Sequence, residues 1–88
     1  MWNRVMDLEG FTLHTSGRNK PFNIIEVTDQ KCVIKVESTG KLRSIQRKEF
    51  EDALKIGEIS SLNTSVLRQK GASEANPAYV MAILRYIN

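Results

Sequence analysis

Cys32-Val33-Ile34-Lys35-Val36-Glu37, Ser38-Thr39-Gly40-Lys41, Leu42-Arg43-Ser44-Ile45-Gln46 and Arg47-Lys48-Glu49-Phe50-Glu51-Asp52-Ala53-Leu54-Lys55-Ile56-Gly57 follow one another without interruption. Within this stretch the hydrophobic period changes from that of a strand to that of a helix. Cys32, Ile34 and Val36 alternate with Val33, Lys35 and Glu37, the pattern of a strand with one buried and one wet face. Cys32 therefore reads as a small core residue. The Ser-Thr-Gly-Lys break is turn chemistry, and the run after it reads as the hairpin partner. From Arg47 onward Phe50, Ala53 and Leu54 recur at i, i+3 and i+4. Glu51 and Lys55 have the spacing of an i,i+4 ion pair, and Gly57 supplies a C-terminal stop.

The facing of the hairpin's second strand depends on the length of its loop. A two-residue Thr39-Gly40 loop sets Ile45 opposite Ile34 in the core and turns Leu42 outward, whereas a three-residue loop exchanges the two faces. The side to which Arg43 points is left open by the sequence.

Toward the N-terminus, two further β-rich runs, Phe11 to Thr15 and Phe22 to Thr28, are bounded by Ser16-Gly17-Arg18-Asn19-Lys20-Pro21 and by Thr28-Asp29-Gln30-Lys31. Connections this short join antiparallel neighbours, because a parallel crossover needs about a dozen residues. A turn of helix over Asn3 to Leu8, ended by Gly10, precedes them. Toward the C-terminus a helix is predicted over 64–70, with Asn63 as cap and Gly71 as stop. The last helix has Asn76 as N-cap, Pro77 at its first position, and Val80, Ile83, Leu84 and Ile87 on one stripe. Strands followed by helices predict an α+β domain: a four-stranded antiparallel meander over 11–46, with two or three helices (47–56, 64–70, 77–87) packed on one face.

Eighty-eight residues, 41% hydrophobic and 26% charged, fit one globular domain, with little surface to spare for a deep catalytic cleft. An acid at position 7 interrupts any signal-like start. The apolar run Val80 to Leu84 is far short of the ~20 residues of a bilayer span. One cysteine excludes an intrachain disulfide and a thiolate-rich zinc site, so a cytoplasmic, reducing location is expected. The net charge of +3 is uneven: residues 1–48 hold nine Lys or Arg against five acids, and residues 49–88 hold four against five.

Catalytic chemistry has little to build on. His14 is the only histidine and Cys32 the only candidate thiol nucleophile, and the alternation puts Cys32 in the core, away from the electropositive exposure that a reactive thiol needs. Glu49, Glu51 and Asp52 sit in the first turns of a helix, where the dipole favours acids without any catalytic role. Phosphate-loop, dinucleotide and zinc-protease motifs are missing. No catalytic, metal or cofactor residue is assigned, and the chain reads as non-enzymatic.

The remaining lead is basic. In an up-and-down meander the first and third loops share one end of the sheet, which groups Arg18, Lys20 and Lys41, with Arg43 beside them. The opposite end groups Lys31, Arg47 and Lys48. Ser16, Asn19 and Thr39 accompany the first group and donate to phosphate oxygens as readily as cations do. Phe11, Phe22, Phe50 and Tyr79 fall at core positions, which leaves Trp2 and Tyr86 as the exposed aromatics. A helix-turn-helix over 64–87 is disfavoured, because its Gly71–Asn76 connection exceeds the usual ~3–4 residues and its last helix offers only Arg85.

Arg47-Lys48-Glu49-Phe50-Glu51-Asp52-Ala53-Leu54 and Asn76-Pro77-Ala78-Tyr79-Val80-Met81-Ala82-Ile83-Leu84 together resemble the ending of small bacterial domains that combine a strand meander, an acidic helix and a terminal helix. Such domains occur alone or attached to restriction-type and other mobile-element proteins. Ala78 stands where that pattern has a polar residue before the tyrosine. The resemblance implies a fold and a setting near nucleic acid; it carries no site residues. Two functions are therefore expected. The first is nonspecific binding of DNA or RNA backbone through Arg18, Lys20, Lys41, Arg43, Arg47 and Lys48. The second is a protein-interaction or inhibitor module, homodimeric in one version, that uses the open sheet face, a sheet edge or the Trp2 and Tyr86 ends. Neither involves a membrane.

Overall fold

In a computed structural model that describes residues 1–88, the central hairpin forms as the alternation dictates. Four strands, β1 (Thr12–His14), β2 (Pro21–Val27), β3 (Lys31–Val36) and β4 (Leu42–Gln46), make one antiparallel sheet in the order β1-β2-β3-β4. Four α-helices accompany it: α1 (Trp2–Met6), α2 (Arg47–Ile56), α3 (Thr64–Gln69) and α4 (Pro77–Ile87), with a single 3-10 turn at Ile59–Ser61. The fold is α+β, with one more helix than the periodicity of the C-terminal half counts.

The β3–β4 hairpin closes through a four-residue loop, Glu37 to Gly40, because Val36 N–H donates to Lys41 C=O at 2.9 Å. Gly40 takes φ +70°, a conformation that costs a side-chain-bearing residue energy. This loop keeps the facing of a two-residue turn, with Ile45 inside and Leu42 outside, but slides Ile45 opposite Cys32. Arg43 lands opposite Ile34, on the helix-covered face but with its side chain exposed. In β2 the register shifts between Ile24 and Glu26. That bulge exposes both Ile25 and Glu26 and returns Val27 to the core, in line with Ile24 and Phe22.

Leu13, Phe22, Ile24, Val27, Cys32, Ile34 and Ile45 from the sheet pack with Phe50 and Ala53 of α2, Leu67 of α3 and Val80 to Leu84 of α4 in one core of 20 buried residues. At about 1.5–3 kcal/mol per fully buried large apolar side chain, α4 contributes more burial than any other helix. The radius of gyration, 11.7 Å, is close to the ~12 Å expected of a packed domain of this length.

Two aromatic assignments are reversed. Trp2 is buried, not exposed: its ring meets Phe50 edge-on at 5.3 Å, and its indole N–H donates to Thr28 C=O at 2.9 Å. Phe11 is exposed, not core, and only touches Tyr86 at the rim, because β1 begins one residue later than the β-rich run. The expected Glu51–Lys55 pair also does not form. Arg47 takes Glu51 at 3.2 Å, and Asp52 lies between Lys48 and Lys55 at 3.6 and 3.9 Å. No helix is long and apolar enough to cross a membrane.

Candidate anion-binding cleft

A cleft of about 410 Å³ opens where the β1–β2 loop, the start of β4, α3 and the start of α4 meet. Its wall carries five cations, Arg18, Lys20, Arg43, Arg68 and Arg85, and no acid. Each is positioned by a local feature of the chain. Thr15 and Lys20 close the β1–β2 loop by their backbones at 3.0 Å, and the Thr15 hydroxyl also accepts from Lys20 N–H at 3.0 Å. Between them Asn19 turns the chain at φ +52°, a left-handed conformation that asparagine tolerates. Arg68 lies one helical turn beyond Thr64 on α3, so both face the same way. The start of α3 is fixed by Asn63, whose Oδ1 accepts from Val66 N–H at 2.9 Å, as its cap position requires. Arg85 lies seven residues beyond Ala78 on the same stripe of α4, and its guanidinium donates to the Ser16 hydroxyl across the cleft.

Arg43 is held most closely. Its guanidinium lies over the Tyr79 ring, 5.6 Å from the centroid, and Nη1 donates to Ala75 C=O and Asn76 Oδ1, each at 3.3 Å. An arginine has five N–H donors in a fixed fork, and those on Nε and Nη2 remain uncommitted. Asn76 precedes α4 as expected, but its side chain does not cap the helix. Instead it bridges Arg43 and Glu49, donating from Nδ2 to Glu49 Oε1 at 3.5 Å. That oxygen also accepts from the Ser73 hydroxyl at 2.7 Å, while Oε2 accepts from Gln46 N–H at 2.8 Å. Glu49 thus closes the capping box of α2 and ties down the segment leading into α4. The uncapped α4 leaves the amides of Ala78 and Tyr79, both in the cleft wall, without an intramolecular acceptor.

All three ion pairs of the protein lie along α2, and none involves a cleft cation. Of the cations singled out from sequence, Arg18, Lys20 and Arg43 come together here. Lys41 lies outside the cleft, on the β3–β4 turn. Arg47 and Lys48 are at the far end: Arg47 stacks over Trp2 at 5.5 Å and donates to Glu51 and to Asp29 C=O, and Lys48 pairs with Asp52. Arg68 and Arg85 were not legible as site residues, because only the packing of α3 and α4 brings them to the β1–β2 loop.

The remaining chemistry is separated. Cys32 is fully buried under the helices, and burial pushes its thiol up to about 12. His14 is exposed on the opposite face of the sheet. No three His, Cys, Asp or Glu side chains converge. On the open face Leu42 is 63% and Ile25 48% exposed, but Lys35 sits between Leu42 and Asn23 across the strands and divides the apolar surface. Six residues of α4 are buried, so it cannot serve as a groove-reading helix.

Comparison with protein-family models, curated proteins and solved structures finds no match to this chain.

Proposed function

We propose that this protein is a non-enzymatic module that binds nucleic acid by its phosphate backbone, in the cleft between the β1–β2 loop and α4. The observation that carries this reading is the gathering of Arg18, Lys20, Arg43, Arg68 and Arg85 around one concavity without a single acid or ion-pair partner. Held together this way, five cations repel one another unless an anion joins them. The rest of the wall supports the same ligand: Ser16, Thr64 and the free amides of Ala78 and Tyr79 are phosphate donors of the usual kind. A protein partner would need an apolar anchor pocket at the centre of the contact, and the wall offers only Ala75, Pro77, Ala78 and the edge of Tyr79. The resemblance of residues 47–54 and 76–84 to domains of mobile-element proteins agrees with a setting near nucleic acid. A reducing, cytoplasmic location goes with this reading, since the one cysteine is a free buried thiol.

The test is titration calorimetry with mixed-sequence single- and double-stranded DNA and RNA at low and moderate salt. Binding that weakens as salt rises, and that is lost in an Arg43→Ala, Arg68→Ala double variant, is expected because each neutralised phosphate releases counterions. Affinity indifferent to salt, or unchanged in that variant, would refute the proposal.

A further inference from the structure

The five cations of the cleft are not held alike. Arg43 is fastened by two hydrogen bonds and an aromatic ring, Arg85 by one hydrogen bond to Ser16, and the side chains of Arg18, Lys20 and Arg68 by none. An unfastened cation offers charge at no fixed point. A pinned guanidinium offers direction as well, because its N–H groups form a rigid planar fork.

Which part of the fork is pinned decides what it can grip. Both protein acceptors, Ala75 C=O and Asn76 Oδ1, take their hydrogen bond from Nη1. The edge left over is that of Nε and Nη2, whose parallel N–H groups match two oxygens carried on one centre. A linking phosphate of DNA or RNA presents two such non-bridging oxygens. Arg43 is exposed to solvent in the cleft wall, so this edge is open to a ligand.

The groups that hold Arg43 share a second property. Ala75 C=O, the Asn76 amide and the Tyr79 ring are all uncharged, so they fix the guanidinium without neutralising it. The acid of this network, Glu49, is reached only through Asn76, which accepts from Arg43 on Oδ1 and donates to Glu49 from Nδ2. An amide carries an acceptor and a donor on one carbon, so it fits between a guanidinium and a carboxylate and keeps the two from pairing. Asn76 is buried, and both neighbours fix the orientation of its amide.

On the backbone-binding reading above, on which this rests, we infer that Arg43 takes one phosphate side-on, Nε and Nη2 each donating to one non-bridging oxygen, and that Asn76 is the positioning residue that keeps this edge free and charged. The experiment is calorimetric titration of the full chain with a mixed-sequence DNA duplex and with its single strand over a series of salt concentrations. Parent, Arg43→Lys, Asn76→Ala and Asn76→Asp are compared, each checked for folding by circular dichroism, on whichever nucleic acid the parent binds. Arg43→Lys and Asn76→Ala keep every cleft charge and lose the fixed fork. Affinity at constant salt should fall about fivefold in each, while the slope of log affinity against log salt stays within about 0.2 of the parent's. Asn76→Asp sets a carboxylate against the guanidinium and should flatten that slope by about 0.9 on the duplex or about 0.7 on the strand, the worth of one phosphate contact. Arg43→Lys leaves the Asn76–Glu49 contact in place, so it carries the test of the fork if the changes at 76 prevent folding. Parental affinity in Arg43→Lys or in folded Asn76→Ala, a flattened slope in either, or a parental slope in folded Asn76→Asp would each overturn this inference and leave backbone binding standing. No binding of either nucleic acid by the parent at low salt would overturn both.

Discussion

Replacing Glu49 tests whether the fold and the cleft are tied at one carboxylate. In Glu49→Ala the Ser73 hydroxyl, on a residue only 2% exposed, loses its acceptor, and the backbone N–H of Gln46 loses the second half of the α2 capping box. A buried donor left without a partner costs about 1–3 kcal/mol. Loss of the cap adds about 1 kcal/mol. The sum, about 2–4 kcal/mol, is a large part of the ~4–13 kcal/mol expected of an 88-residue domain. Urea unfolding followed by Trp2 fluorescence should therefore show the midpoint falling by more than ~1 M, and the melting temperature by about 10 °C or more. Glu49→Gln keeps one acceptor oxygen and should lose roughly half as much. The double variant Glu49→Ala, Ser73→Ala gives the sharper sign. With both partners of the buried bond gone no orphan remains, so it should be more stable than the two single losses added together, by about 1 kcal/mol. A Glu49→Ala protein within ~0.5 kcal/mol of the parent, or strictly additive losses in the cycle, would refute the idea that this carboxylate anchors the segment.

Trp2→Ala should cost about 3–5 kcal/mol, since it removes a buried ring packed on Phe50 and a hydrogen bond to Thr28, and chemical denaturation measures the loss. Cys32 should react with thiol reagents only at the rate of global unfolding. Its thiol is raised from 9.0 to about 12 in the folded chain, so the native state keeps a proton that the unfolded chain releases first. Stability should be unaffected by this group below pH 9 and decline above it, by about 1.4 kcal/mol per pH unit up to pH ~12. The decline should be shallower in Cys32→Ala when unfolding is measured at pH 8 and pH 10. Arg43→Lys conserves charge but gives up the planar fork over Tyr79, so affinity for a single-stranded oligonucleotide should fall severalfold while the fold, read by circular dichroism, is unchanged.

Legibility in the sequence followed locality. The bounds of β4, α2 and α4 are those the periodicity gives, because each is set by neighbours within one turn: Gly40 and Lys41 before β4, Gly57 after α2, Pro77 at the head of α4. Trp2 was misplaced because nothing near it in sequence shows that Phe50 and Thr28 will enclose it. Phe11 is misplaced for the converse reason, a good strand residue whose ring meets only the exposed Tyr86 beyond the sheet edge. Meander topology groups Arg18 and Lys20 with Lys41, which lies outside the cleft, whereas the side that Arg43 faces depends on the hairpin loop and is not legible from topology. Arg68 and Arg85 needed the angle between α3 and α4, a tertiary quantity.

The places where local rules fail are not scattered. Arg43 stands opposite Ile34 on the helix-covered face of the sheet, yet its side chain stays exposed. Asn76, at a good N-cap position, leaves its helix uncapped. Glu49 divides its carboxylate between its own helix and a distant serine. These three side chains are joined to one another, Glu49 to Asn76 to Arg43, and the chain ends at the cleft. Asn76 and Glu49 thus commit side-chain hydrogen bonds to this connection that local capping alone would not use. Natural sequences keep departures of this kind chiefly where function requires them. A guanidinium held by Tyr79 and Asn76 with its remaining donors open is what the proposed anion-binding role requires, and Arg43→Ala, which removes those donors, is expected to weaken oligonucleotide binding with little loss of stability.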